Sequence, residues 1–363
     1  MNRFKKPVLA LGAESKGVFS FVKGGNLFTS NEFGNLGDYN NFARYEASIK
    51  DRMRKIKPRV IVCDMHPDYN SHALARDLSL KNGELIEVQH HHAHIASCML
   101  ENDLKGKVIG VAFDGTGYGP DNNIWGGEFL ISSYKDFTRM GHFKYLPMPG
   151  ADMAVKEPWR MAASYLYDAF GDSSLRLGIP FTKKIPVKEW RVLRGMISKG
   201  INSPLTSSAG RLFDAASAIT SSIFKVAHEA QAPVSLQRLA EEAWYEEGLY
   251  PYDIQKKGLV IDVRKTIMGI VKDIKSNVAR EIVSARFHNT IAAIINDMCM
   301  RIKAKSGIRK IALSGGVFQN ALLTEKTERL LEESGFSVYK QAAFSMNDSG
   351  VSRGQAAVAS ARG

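Results

Sequence analysis

The chain has 363 residues, of which 44% are hydrophobic and 24% charged, and its formal net charge is +12. This length and composition exclude a single simple core and predict an ordinary globular protein with two lobes. No run of about 18 apolar residues occurs, so no membrane span is predicted. The positive charge favours acidic partners, whether nucleic acid, a nucleotide or an acidic protein face.

The first predicted element is a β-strand within MNRFKKPVLALGAES, whose apolar part is too short for a signal peptide. Further short apolar runs predict strands at RVIVCDMH, KVIGVAFDG and KIALSGG. Helical spacing of apolar residues appears from Phe42 to Ile56 and again from Phe287 to Ile302. Gly307 follows the second helix as a cap. Strands that alternate with helices indicate an α/β protein.

The three cysteines, Cys63, Cys98 and Cys299, are odd in number and far apart. They argue against a disulfide framework and for a reducing cytoplasm. Cys63 and Cys299 lie in apolar runs and are interpreted as core residues. The densest basic stretch, TKKIPVKEWRVLRGMISKG, contains a single aromatic residue, Trp190. We interpret it as a solvated helix face, with a nucleic-acid surface as the alternative.

A weak internal repeat is the most informative feature of the organisation. Residues 7–30 read as strand, polar turn, strand and Gly-Gly turn, and residues 107–134 repeat this order with a glycine-rich turn. Two hairpins that each open a lobe are what a duplicated nucleotide-cleft fold requires. We expect lobes at residues 1–105 and 106–363, closely packed through a short join, with the last helix able to pack on the first lobe.

Four of the nine histidines lie within five positions in VQHHHAHIAS. If this segment is helical, His90 and His94 point the same way one turn apart, which is a common platform for a metal ion. His91 and His92 then face elsewhere and can orient ligands or contact substrate. The alternative is a hydrogen-bonded surface cluster. Two imidazoles do not complete a metal site, so carboxylates from distant segments are required.

Two acids are candidates for those carboxylates. Asp114 follows a predicted buried strand, so its side chain emerges where clefts form in α/β proteins. Asp348 precedes a helix of small residues, VSRGQAAVASA. Either acid can instead be a turn former or an N-cap.

Glycine-rich segments at DGTGYG and LSGGVFQN follow predicted strands, and the second opens a helix. Backbone N–H groups in such turns can approach a phosphate closely. Neither segment matches a Walker loop or a dinucleotide fingerprint. In SSAGRLFDAASAI, an acid four residues after a glycine could hold ribose hydroxyls or belong to a capped helix start. The candidate nucleotide-binding residues are Gly115, Thr116, Gly117, Gly210, Asp214, Gly315, Gly316 and Asn320.

Several segments, in this order, resemble one family: VQHHHAHIASCM, VIGVAFDGTGYG, MPGADMAVKEPWRMAASYL, SSAGRLFDAASA, ARFHNTIA, LSGGVFQNALL and NDSGVSRGQAA. Together they resemble the carboxy-terminal carbamoyltransferase domain of HypF, the hydrogenase maturation protein. The resemblance covers nearly the whole chain. It implies the two-lobed actin-like or hexokinase-like (ASKHA) fold, with a nucleotide cleft between duplicated lobes, shared with the synthase of threonylcarbamoyladenosine on tRNA.

The resemblance also implies roles for the candidate residues. His90 and His94 match the family's metal-binding pair, Asp348 matches its carboxylate ligand, and Asp114 lies where a further ligand is expected. His90, His94 and Asp114 would then be catalytic, and the glycine segments would surround ATP, AMP or carbamoyl adenylate. The ion would be one divalent metal, iron or zinc. The implied reaction transfers a carbamoyl group from carbamoyl adenylate to the carboxy-terminal cysteine of HypE.

The chain departs from the family's pattern at Ala230, Ser235, Gln237 and Ser349, which puts acceptor or nucleotide contacts in doubt. It also matches only the last module of HypF, so we expect another domain or protein to make carbamoyl adenylate. We expect a cytoplasmic enzyme with a HypE-like partner and neither membrane nor nucleic acid. The alternatives are O-carbamoylation of a small molecule, tRNA threonylcarbamoyl transfer, and a non-catalytic nucleotide-binding or assembly protein.

Overall fold

The structure is a computed structural model that describes Phe4 and residues 6–362, apart from the side chains of residues 81 and 82. Residues 1–3, Lys5 and Gly363, which the predicted lobes include, lie outside the described residues. Strands and helices alternate along the chain, as predicted for an α/β protein. Among the described helices, none is both long and apolar enough to cross a bilayer.

The described residues contain fourteen β-strands, which form two separate sheets. In chain order they are β1 Val8–Ala10, β2 Ser20–Lys23, β3 Asn26–Thr29, β4 Val60–Asp64, β5 Glu84–Val88, β6 Val108–Tyr118, β7 Ile124–Ser132, β8 Phe137–Phe143, β9 Leu146–Pro147, β10 Leu205–Thr206, β11 Asp253–Ile254, β12 Val260–Asp262, β13 Lys310–Ser314 and β14 Ser337–Tyr339.

Thirteen α-helices lie within the same residues, with short 3₁₀ turns between some of them. They are α1 Tyr39–Ile56, α2 Asn70–Asn82, α3 His90–Glu101, α4 Asp152–Lys156, α5 Trp159–Phe170, α6 Pro180–Lys183, α7 Val187–Lys199, α8 Ala209–Ser221, α9 Gln231–Glu242, α10 Arg264–Lys275, α11 Arg280–Ser306, α12 Ala321–Glu333 and α13 Val351–Arg362.

The two sheets repeat one topology. The first has the order β3-β2-β1-β4-β5, and the second contains β8-β7-β6-β13-β14 in the equivalent places. In each, the first three strands pair antiparallel as a meander and the last two continue the sheet in parallel. Both predicted hairpins are therefore present. The molecule has the two-lobed actin-like fold.

Helices α3 and α13 pack against each other between the two sheets. Ile95, Cys98 and Met99 of α3 lie in a cluster with residues of the second sheet, whereas Val351 and Ala356 of α13 pack with strands of the first. The helices approach so closely that a Cβ on Gly354 would lie 1.8 Å from the Ala93 carbonyl oxygen. Small residues on α13 permit this approach, which sets the start of α3 beside the segment before α13.

Both helices predicted from apolar spacing are present as α1 and α11. Ile294, Ile295 and Met298 of α11 are fully buried, as expected for the apolar face predicted from their spacing. That helix ends at Gly307, whose φ of 71° is the left-handed conformation predicted for the cap. Helix α7 buries Trp190 and exposes most of its basic side chains. The described cysteines are buried and unbridged.

One local prediction was wrong. The segment DGTGYG is not a turn, because β6 continues through it to Tyr118. The strand is irregular there: its register against β7 shifts between Phe113 and Gly117. Glycine is compatible with bulges as well as turns, so the local pattern did not distinguish them. The chain reverses instead at residues 119–123.

Candidate metal centre

The histidine cluster opens helix α3. The Gln89 side chain caps that helix by accepting the N–H of His92 at 2.9 Å. Helical spacing then places His90 and His94 on one face, with their Nε2 atoms 3.2 Å apart. Both imidazoles are fully buried. This geometry excludes the surface-cluster alternative.

The two candidate acids lie against this pair. Asp114 Oδ2 is 3.2 Å from His90 Nε2 and 3.1 Å from His94 Nε2. Asp348 Oδ1 is 3.4 Å and 3.5 Å from the same two nitrogens. One donor atom from each of the four residues lies within 4.8 Å of the others. Segments separated by up to 258 positions, from His90 to Asp348, therefore converge on one point.

Neither acid serves as the helix cap that its sequence context allowed. Asn347 caps the 3₁₀ turn that begins at Asp348, because its side chain accepts the N–H of Ser349. The second Asp348 oxygen accepts a hydrogen bond from Ser15 Oγ at 2.5 Å. Asp114 Oδ1 accepts the backbone N–H of Gly316 at 3.1 Å. Each carboxylate is thus fixed through one oxygen while the other faces the imidazoles.

Asp64 belongs to this centre and was missed as a candidate from the sequence. It is the last residue of β4 and is fully buried. His90 donates from Nδ1 to Asp64 Oδ2 at 2.7 Å, which directs the Nε2 lone pair toward the cluster. An acid at the end of an apolar strand is the signal that identified Asp114, and VIVCD carries the same signal.

On the other imidazole, Nδ1 of His94 lies 3.4 Å from Ser314 Oγ. That hydroxyl donates to Gln341 Oε1 at 2.7 Å, so it is free to accept from the imidazole. The arrangement again leaves Nε2 as the atom that faces the cluster. Such outer partners orient histidine ligands in metal sites.

Electrostatics within the cluster favour opposite charges on its members. Burial lowers the pKa of His90 and His94, but the neighbouring carboxylates outweigh it and raise the pKa of both imidazoles. Burial also opposes ionisation of Asp114 and Asp348, yet the imidazoles hold the pKa of both carboxyls below the usual range. Protonated imidazoles and ionised carboxylates therefore attract one another in the cluster. A divalent cation can replace those protons.

The donor set fits a transition-metal ion. Two imidazole nitrogens and two carboxylate oxygens, aimed at one point in a buried cleft, suit zinc and iron equally well. The orienting contacts from Asp64 and Ser314 are those expected around metal-bound imidazoles.

The other two histidines of the cluster make separate contacts. His92 donates from Nε2 to the Ser133 carbonyl oxygen at 2.7 Å, and burial lowers its pKa to about 4. His91 accepts at Nδ1 from Gln89 Nε2 at 3.1 Å. Gly117 lies against this pair, and a Cβ there would be 2.4 Å from His91 Cε1 and 2.9 Å from His90 Cδ2. Glycine at this position therefore allows β6 to approach α3.

The second glycine segment lies next to the acid of the first. Gly315 has a φ of 105°, and a Cβ there would lie 2.2 Å from the Phe113 carbonyl oxygen. Gly316 opens a 3₁₀ turn that leads to α12, so this segment does begin a helical stretch as predicted. Asn320 caps α12 by accepting the N–H of Leu323, and its amide donates to His288 Nε2 at 2.9 Å.

Helix α8 carries the third predicted nucleotide segment. Its cap is Ser208, so Asp214 lies inside the helix and does not cap its start. Asp214 is buried and pairs with Arg211 at 2.9 Å. Burial raises the pKa of Asp214 to about 6, against the attraction of Arg211.

Gly210 packs on β6, where a Cβ would lie 2.9 Å from the Gly115 Cα. The side chain of Thr116 is exposed at the same bulge.

The four departures from the family pattern leave the cluster intact. Ser349 donates a hydrogen bond to Glu32. Ala230, just before α9, has a left-handed φ of 62°. Ser235 and Gln237 lie on α9, and Gln237 donates to Glu241 at 2.7 Å.

Comparison with known families accounts for nearly all of the chain. The family model described as "HypF Kae1-like domain" matches residues 3–101. A second, "Carbamoyltransferase, Kae1-like Domain, second subdomain", matches residues 110–355. The two matches follow one another along the chain.

Relatives give the same assignment. A carbamoyltransferase HypF homolog of Cupriavidus necator is 34% identical and aligns with 97% of this chain and 91% of its own length. Carbamoyltransferase HypF of Synechocystis is 32% identical over 97% of this chain, which spans 47% of that relative. The chain thus spans about half the length of some relatives and nearly all of another.

Among solved structures, full-length HypF in a phosphate- and nucleotide-bound form superposes with a TM-score of 0.92 and 38% identity, over 99% of this chain and 56% of that one. HypF of T. kodakarensis superposes with a TM-score of 0.88 and 29% identity, over 98% and 48%. With the two family matches and the Cupriavidus relative, these structures show that the chain belongs to the HypF carbamoyltransferase family and contains its Kae1-like domain.

Proposed function

We propose that this protein transfers a carbamoyl group from carbamoyl adenylate to the carboxy-terminal cysteine thiol of a HypE-like acceptor. Its family supports a carbamoyltransferase role in hydrogenase maturation. The observation that carries the proposal is the buried convergence of His90, His94, Asp114 and Asp348 within 4.8 Å. We assign these four residues as the ligands of one divalent ion, iron or zinc.

In this proposal the bound ion supplies Lewis-acid polarisation of the carbamoyl oxygen. The protein holds the ligands of the ion in position. Asp64 and Ser314 hold the two imidazoles with Nε2 facing the cleft, and Asp114 is held through Gly316. A rigid ligand set of this kind orients the carbamoyl carbon for attack without reorganisation during the reaction.

The donor nucleotide is proposed to lie along three segments that meet beside Asp114. These are the β6 bulge at Gly115, Thr116 and Gly117, the start of α8 at Gly210 and Asp214, and the segment of Gly315, Gly316 and Asn320. Support comes from their proximity: Gly210 contacts Gly115, and Gly316 contacts Asp114. A HypF structure that is similar to this chain was solved with phosphate and nucleotide bound.

The acceptor thiol comes from another protein in this proposal. The described cysteines, Cys63, Cys98 and Cys299, are buried, and burial raises the pKa of each thiol well above its usual value. A thiol that stays protonated is a poor nucleophile. We assign synthesis of carbamoyl adenylate to a separate domain or protein, and the reaction to the cytoplasm, where thiols stay reduced.

The test is transfer followed by intact mass. The purified chain is loaded with zinc or iron and mixed with carbamoyl adenylate and a HypE-like protein, whose mass should rise by one carbamoyl group. His94→Ala should abolish both bound metal and transfer. His92→Ala is the matched control on the same helix, because it removes a buried imidazole that faces Ser133.

The control should lose stability but keep its metal. Transfer to a hydroxyl of a small molecule, with none to the protein thiol, would replace this proposal with the O-carbamoylation alternative. Metal retained in His94→Ala would refute the ligand assignment.

A further inference from the structure

Arg211 on α8 is a buried cation with unused hydrogen-bonding capacity. Arg211 is only 6% exposed, and its Nη2 atom lies 2.9 Å from Asp214 Oδ2. Arg211 Nε and Nη1 are buried and have no hydrogen-bond partner among the described residues, and Asp214 Oδ2 contacts Nη2 as an ion pair without hydrogen-bond geometry. A buried guanidinium with two idle donors is costly unless something else accepts from it.

The guanidinium lies beside Gly115, the residue that follows Asp114 on β6. The Ser208 hydroxyl, which caps α8, is 2.7 Å from the carbonyl oxygens of both Asp114 and Gly115. This cap ties the first turn of α8 to the β6 bulge. A Cβ on Gly115 would lie 3.7 Å from Arg211 Nη2, so the guanidinium faces the residue next to a proposed ligand.

Two other cations near α8 are paired with a carboxylate. Arg160 of α5 binds Glu157 at 2.6 Å, and Lys225 binds the same carboxylate at 3.2 Å. Among the described residues, the carboxylate paired with Arg211 is that of Asp214, whose pKa burial raises to about 6. That carboxyl is therefore a weak counter-ion in mildly acidic solution, and the two unpartnered Arg211 donors favour a second anion.

Carbamoyl adenylate carries a phosphate anion directly next to its carbamoyl group. It is a mixed anhydride in which one bridging oxygen joins the carbamoyl carbon to the phosphorus. If the carbamoyl oxygen lies at the metal centre, the phosphate lies next to it. A guanidinium presents planar N–H donors that match phosphate oxygens.

We propose that Arg211 binds the phosphate of carbamoyl adenylate and stabilises the AMP leaving group, an inference that rests on the proposed function. When the acceptor thiolate attacks, a bond forms between sulfur and the carbamoyl carbon, and the bond from that carbon to the bridging oxygen breaks. The electron pair stays on the oxygen, so the phosphate gains one negative charge. Arg211 lies where it stabilises that added charge.

The test compares binding of AMP and of adenosine to the full chain by titration calorimetry. Arg211→Gln should weaken AMP binding by about 10- to 100-fold and leave adenosine binding unchanged, since a hydrogen bond to a charged group contributes on that scale. Arg211→Lys should fall between the two, because a lysine keeps the charge but loses the planar donors. Arg191→Gln, on the exposed face of α7, is the matched control and should bind AMP normally.

The near-ultraviolet circular dichroism of each variant checks its fold, and Arg211→Lys carries the test if Arg211→Gln does not fold. Unchanged AMP affinity in the folded variant, an equal loss of adenosine binding, or a wild-type chain that binds no AMP would overturn the inference. Failure of the proposed function looks different: AMP binding would depend on Arg211 while the wild-type chain transfers no carbamoyl group.

Discussion

The Asp64 carboxylate offers a sharp test of the metal centre, because it contacts His90 but is not one of the four proposed metal ligands. Its two oxygens have separate tasks: Oδ2 accepts from His90 Nδ1 at 2.7 Å, and Oδ1 accepts from the His66 N–H at 3.1 Å. In Asp64→Asn, one oxygen becomes an NH₂ group that cannot accept. Either His66 loses its acceptor, or His90 must take the tautomer that protonates Nε2.

The size of the effect follows from this geometry. A tautomer with a proton on Nε2 cannot bind a metal through that atom, and partners that orient ligands typically contribute about 10- to 100-fold in metal affinity. This range corresponds to about 1.4–2.8 kcal/mol of binding free energy. Both residues are fully buried, so water cannot replace the missing acceptor cheaply.

The assay is competition between the protein and a chelator of known affinity, with zinc and, without oxygen, ferrous iron. Asp77→Asn, which makes the same chemical change on the exposed face of α2, should leave the affinity unchanged. An affinity of Asp64→Asn within about twofold of the wild type, together with an unchanged unfolding free energy, would contradict the orienting role assigned here, because neither contact would then matter.

The remaining predictions concern the stability of four variants, measured by urea denaturation. Gly117→Ala should lower the unfolding free energy by about 1–3 kcal/mol and weaken metal binding, because its Cβ would lie 2.4 Å from His91 Cε1. In contrast, Gly195→Ala, with open space around it in α7, should be neutral or stabilising. Ala230→Gly should raise the unfolding free energy by about 0.5–1 kcal/mol, since it relieves a φ of 62°, and an unchanged value would contradict that reasoning. Asp214 has a folded-state pKa of about 6 and a reference value of 3.8, so its ionisation favours the unfolded state as pH rises through this window. Asp214→Asn should therefore gain about 2–3 kcal/mol relative to the wild type between about pH 4 and pH 7, and a pH-independent difference would refute the shift.

Local patterns predicted much of the fold because each hairpin is encoded within about 30 residues. The alternation of short apolar runs and turns indicated both hairpins, and apolar spacing indicated α1 and α11. The parallel pairing of β1 with β4 and of β6 with β13 could not be inferred in this way. Those pairs join segments far apart in the chain, so they depend on tertiary contacts rather than on local pattern.

The site residues show the same difference between what local pattern predicts and what tertiary packing determines. His90 and His94 were identifiable because they share a helical face, and Asp114 because it follows an apolar run, although the structure places it within β6. Asp64 ends the predicted strand VIVCD, so the same rule could have identified it. Arg211 was missed because an arginine in a helix is usually solvated, and its burial results from the packing of α8 on the β6 bulge.

The most direct test of the metal centre is anomalous X-ray diffraction from a crystal of the chain grown with zinc or iron and soaked with AMP. We expect one anomalous peak at about 2.0–2.3 Å from donor atoms of His90, His94, Asp114 and Asp348. The AMP phosphate should lie beside Arg211. A peak elsewhere, or none in protein that holds its full complement of metal, would contradict the account.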